Sequence, residues 1–117
     1  MTPDIALKRI YEAPAADDGY RVLVDRLWPR GVRRDDAALD AWMKDVAPSK
    51  ELRTWWDHDP DRFAEFAERY REELDGSTAL AVLRAVSATK PSVTLLYAAH
   101  DPQVNHALVL RDVLIGS

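Results

Sequence analysis

The sequence has no cysteine. That excludes disulfides, a thiolate nucleophile and cysteine-ligated metal, and it leaves the redox compartment open. No Gly-x-Ser-x-Gly elbow is present either, and Ser49, Ser77, Ser87 and Ser92 fall at helix, turn or strand-edge positions, a poor basis for Ser/His/Asp hydrolysis. His58, His100 and His106 include no i, i+4 pair on a helix, so no metal or other cofactor is expected. The amino-terminal residues lack a basic segment followed by an apolar one, so no signal peptide is evident. No apolar run approaches the ~20 residues that span a bilayer. The expectation is a cytoplasmic protein with no membrane partner.

Excess positive charge is missing too. A formal net charge of −4 argues against a nucleic-acid partner, whose affinity would rest on many phosphate contacts. The charge is uneven, however. Residues 21–53 hold 8 Lys/Arg against 6 Asp/Glu, whereas residues 57–76 hold 3 Arg against 8 Asp/Glu. A basic segment inside an acidic chain suits a small anionic ligand. At 117 residues, 47% of them hydrophobic, residues 1–117 read as a single domain with a real core. Oligomeric state is not legible.

What is present centres on Asp25-Arg26-Leu27-Trp28-Pro29-Arg30-Gly31, directly after the apolar run Val22-Leu23-Val24. A short apolar run bounded by turn residues reads as a buried strand. In open α/β sheets, ligands bind outside the carboxyl ends of strands. Arg26 and Arg30 supply guanidinium forks suited to carboxylate or phosphate, and Trp28 supplies a face on which a flat ligand could stack. Read more plainly, Arg26 pairs with Asp25 or Asp45 and Trp28 belongs to the core.

In order, residues 5–10 read as a first strand, 11–19 as a loop and 20–26 as the second strand. Ala37-Ala38-Leu39 allows one helical turn. Residues 40–47 are ambiguous between strand and helix, and Pro48 ends them either way. Ser49 caps a short helix carrying Leu52, Trp55 and Trp56. Asp59-Pro60 starts a helix with a stripe of Phe63, Phe66, Ala67, Tyr70 and Leu74. Ser77 caps another with Leu80, Leu83 and Val86. Residues 93–99 are nearly all apolar, the mark of a strand covered on both faces. His100-Asp101-Pro102 repeats the earlier start signal, predicting a last helix with Val104, Ala107, Leu108, Leu110 and Leu114. The fold class is α/β: a three-layer-like sandwich with a small, mostly parallel sheet of about four strands and helices on both faces.

The passage from residue 97 to 106 carries a second candidate site. It runs from a buried strand's carboxyl end into a helix start, where free N–H groups and the dipole favour an anion. His100 and His106 are both suited to acid or base work near neutrality.

The segments from Tyr20 to Gly31, Lys44 to Ser49, Trp55 to Phe63 and Leu95 to Asp101, with Asn105-His106-Ala107, resemble the YeaO-like family, a branch of the domain of unknown function 488 family. The match runs nearly end to end. The resemblance implies that residues 40–47 form the third strand. Wider relatives carry an acid at the first strand end and a Cys-His-Arg triplet later. Asp25 matches the acid, and Asn105, His106 and Ala107 stand at the triplet, so only the histidine is kept. Thiol chemistry therefore does not carry over.

The leading expectation is an anion-accepting pocket. Asp25, Arg26, Trp28 and Arg30 from one strand end would face His100, Asn105 and His106 from another, with Lys44 or Asp45 on a third. Were it an enzyme, Asp25, His106 or His100 would move a proton while the arginines hold a small anionic metabolite. The alternative is a non-catalytic regulatory or protein-interaction module using a Trp/Arg surface.

Overall fold

A computed structural model describes residues 4–116. Four strands, β1 (Asp4–Arg9), β2 (Tyr20–Leu23), β3 (Ala41–Trp42) and β4 (Ser92–Tyr97), form one sheet in the order β1-β4-β2-β3. All neighbours are parallel, with Ile5 opposite Val93, Tyr20 opposite Val93 and Val22 opposite Ala41. The helices are α1 (Arg34–Ala37), α2 (Lys50–Trp56), α3 (Phe63–Leu74), α4 (Thr78–Ser87) and α5 (His106–Gly116). The α/β class with a parallel four-stranded sheet is as expected.

β4 lies second in the order, between β1 and β2, and Val93 to Tyr97 are all buried. A strand covered on both faces can be nearly all apolar, and here the one buried polar side chain, Thr94, donates to the Asp18 carbonyl. Its two faces feed different cores. Val93, Leu95 and Tyr97 join Val22, Val24 and the stripe Phe66, Ala67, Tyr70 and Leu74 of α3, with Ala107, Leu110 and Leu114 of α5. Leu96 turns the other way, into a smaller cluster with Leu23, Ile10 and Ala37 of α1, roofed by Trp28 and Trp42. The layers are therefore unequal, because α1 is a single turn.

A buried ion cluster closes the second face. Asp18 accepts from Lys8 at 3.1 Å and from Arg21 at 2.5 Å, and Arg21 donates onward to the carbonyls of Ala37 and Ala38. Gly19, at φ +67°, follows, and a side chain there would collide with the Ser92 backbone.

Two expectations are corrected. The third strand is two residues long, and Lys44–Val46 forms a 3₁₀ turn instead. Val46 is buried there, and its carbonyl accepts from the Tyr70 hydroxyl of α3. The tertiary bond replaces the next rung of the ladder. The last helix starts at His106, not beside Pro102. Asp101 caps only its own turn, accepting from Gln103 N–H, and Asn105 accepts from Leu108 N–H, as an N-cap does. Among the described residues, no helix is long and apolar enough to cross a membrane.

Candidate functional site

The strands run parallel, so their carboxyl ends gather on one side, and a cleft of about 340 Å³ opens there. Residues 25–30 after β2, Ala98 and Ala99 after β4, and His106 at the start of α5 form one side. Ala47, Pro48, Arg53, Trp56 and His58, before, along and after α2, form the other.

Asp25 is held by both neighbours of β2. The Trp42 indole donates to its backbone carbonyl at 2.7 Å, and Ala98 N–H donates to Oδ2 at 3.0 Å. Its Oδ1 is out of solvent, 3.3 Å from His106 Nε2. That imidazole nitrogen also lies 3.0 Å from the Val24 carbonyl. A carbonyl can only accept, so Nε2 carries the proton. Burial pushes the Asp25 carboxyl above its ordinary range, against the opposing pull of His106 and the Ala98 N–H. Burial likewise pushes His106 down, outweighing Asp25 and the Val24 carbonyl, while His58 and Arg53 add to the depression.

The arginines have only weak internal partners. Arg26 donates to the Ala47 carbonyl at 3.4 Å and lies 3.9 Å from the exposed Asp45, not paired with Asp25. The Nε atoms of Arg26 and Arg53 are buried without a hydrogen-bond partner. Arg30 is exposed at the rim, and its backbone carbonyl accepts from the Tyr11 hydroxyl. Asp25 is the one carboxylate among the lining residues, against three guanidinium groups. The lining thus carries more cationic than anionic side chains in a protein of net charge −4.

Of the residues expected from sequence, Asp25, Arg26, Trp28, Arg30 and His106 come together. Trp28 is held within the protein: its indole donates to the Val32 carbonyl and meets Trp42 edge-on at 5.4 Å. Lys44, His100 and Asn105 do not line the cleft. Lys44 leaves on the 3₁₀ turn, its ammonium 5.3 Å from the Trp42 ring centre. His100 is exposed in the turn after β4, and Asn105 is buried in the α5 cap, with Nδ2 on the Asp101 carbonyl.

Sequence reasoning missed Arg53 altogether and weighed His58 only as a metal ligand. His58 follows α2 as the second of two left-handed residues, Asp57 at φ 51° and His58 at φ 54°, with its ring 4.9 Å from Trp56. Asp57 is the left-handed C-cap that ends α2, its N–H donating to the Arg53 carbonyl, and His58 extends the left-handed turn by one residue. Among the described residues, no group of three or more acids and histidines is arranged to hold a metal ion.

Fold and cleft together define a small parallel α/β protein with a cationic cleft at its strand carboxyl ends. A family model described as the inactive DUF488-N3 subclade matches residues 4–117, and the chain belongs to that family. It is 51% identical over 112 residues to an uncharacterized protein of Mycobacterium tuberculosis (strain H37Rv), covering 96% of this chain and 94% of the relative. It is 45% identical over 111 residues to the uncharacterized protein YeaO of Escherichia coli (strain K12), covering 95% and 96%. These matches bear out the YeaO-like resemblance. No solved structure matches the chain significantly.

Proposed function

We propose that the protein binds a small anion in this cleft and acts as a binding module rather than through covalent catalysis. The observation that carries the reading is the charge arrangement. Three arginines line a cleft whose single carboxylate is turned to internal partners. A charge-assisted bond from a guanidinium contributes roughly 1.5–3 kcal/mol. The lining contains no serine, threonine, tyrosine, cysteine or lysine nucleophile, which accords with the word "inactive" in the family's description.

Amide chemical-shift titration with acetate and with inorganic phosphate tests this. The expected result is saturable binding of at least one anion, with shifts at residues 25–30, and affinity about tenfold weaker in Arg26→Gln. Binding of neither anion by the wild type overturns the reading.

A second reading, proton-transfer catalysis on the bound anion, is favoured by one feature, the buried Asp25–His106 pair. Perturbed acids in clefts mark catalytic sites as well as binding sites. The Trp/Arg surface alternative gains nothing comparable, because none of the four tryptophans is exposed.

A further inference from the structure

Resting on the anion reading, we infer that the cleft takes a monocarboxylate with a compact aromatic body rather than a bare inorganic anion. Volume is the first reason. About 340 Å³ is far more than acetate or phosphate fills, and it falls at the low end of the range for organic ligands.

The walls are the second. Between the arginines the lining includes the apolar residues Trp28, Pro29, Pro48 and Ala98, with the nearly buried Trp56 behind them. Leu27 adds a side chain that is 68% exposed, the most exposed of the large hydrophobic residues described. It lies in the cleft lining between Arg26 and Trp28, where an apolar group on a bound anion would remove it from water.

The third reason is the His58 ring. Two consecutive left-handed residues hold it at the cleft wall, tilted 42° to Trp56. The exposed His58 ring lines the cleft and offers a bound ring a second planar contact. A phosphate dianion carries a stronger hydration shell than a carboxylate, and away from the arginines the apolar walls supply no donors to replace it. A monocarboxylate loses less at the arginines, and its ring gains contact with the flat walls.

The experiment uses the full chain with acetate, phenylacetate, phenylacetamide and inorganic phosphate, read by tryptophan fluorescence and amide shifts. Phenylacetate is expected to bind about tenfold more tightly than acetate, from the burial of one ring. Phenylacetamide, which keeps the ring and loses the charge, is expected to bind at least tenfold more weakly than phenylacetate. Leu27→Ser is expected to weaken phenylacetate several-fold and leave acetate unchanged. If acetate and phosphate bind and phenylacetate binds no more tightly, the aromatic preference is overturned while the anion reading stands. If phenylacetamide matches phenylacetate, or if nothing binds, both fall. An unchanged phenylacetate affinity in Leu27→Ser overturns the Leu27 wall.

Discussion

At the scale of single residues, the centre of the cleft is the hydrogen bond from His106 Nε2 to the Val24 carbonyl, with Asp25 Oδ1 beside it. Two outcomes follow from the burial of this pair. In ¹⁵N NMR, His106 is expected to be the neutral Nε2–H form at pH 7 and to protonate below the ordinary 6.5. Asp25→Asn removes the charge that supports the imidazolium, so the midpoint should fall further; a rise would refute the electrostatic account. Asn105 gives the second case. Its side chain accepts from Leu108 N–H, donates to the Asp101 carbonyl and is 1% exposed. Asn105→Cys, restoring the residue type of the wider relatives, should cost about 1–2 kcal/mol in urea unfolding through loss of the cap. Much of this site was legible because Asp25, Arg26 and His106 sit next to apolar strands or their helix in sequence. His58 and Arg53 were not, because they reach the cleft only through the packing of α2 on α3, which no local pattern records.

At the scale of elements, reading by period and cap succeeded where a helix contributes a long apolar face and failed where the element is short. The stripe on α3 was visible in the sequence, and Ser49 and Ser77 cap α2 and α4, accepting from Leu52 and Leu80 N–H. In residues 40–47 the family resemblance implied more strand than forms, since Val46 is claimed by the core beneath Tyr70. The start of α5 was misplaced because Asp-Pro serves equally for a turn. The element with the least inherent support is α1, one turn closed by Ala38 in the left-handed region at φ 49°, ψ 46°. An alanine there is strained by about 1–2 kcal/mol, and glycine returns part of that gain as chain entropy. Ala38→Gly should therefore stabilise the protein by about 0.5–1 kcal/mol in chemical denaturation. The Ala38 carbonyl that receives Arg21 Nε is kept in that variant.

At the scale of the molecule, β2 is bracketed by two sequestered acids with opposite environments. Asp18, just before it, is met by full cations. Burial alone would push its carboxyl up, but the Ala15 N–H and the Lys8 and Arg21 bonds overcome that and hold it below the ordinary 3.8. Asp25, just after it, has one N–H, a neutral imidazole and the surrounding cleft, and burial holds it above 3.8. Identical side chains thus serve as a structural lock at one end of the strand and as a buried acid lining the cleft at the other. Linkage makes the contrast measurable. A lowered folded-state pKa means stability that is present above 3.8 and lost as pH falls through the folded value. A raised one means stability that is present below 3.8 and lost as pH rises through the folded value. Asp18→Ala leaves Arg21 buried and uncompensated, so it should be destabilised by about 3–5 kcal/mol near neutrality. That deficit should shrink as pH falls and wild-type Asp18 itself protonates. Asp25→Asn should do the reverse, gaining on wild type as pH rises above 4, because it never charges the buried site. Urea unfolding of the three proteins between pH 3 and 7 tests both slopes. Parallel slopes for the two variants would show that the acids are equivalent and that the cleft does not set Asp25 apart.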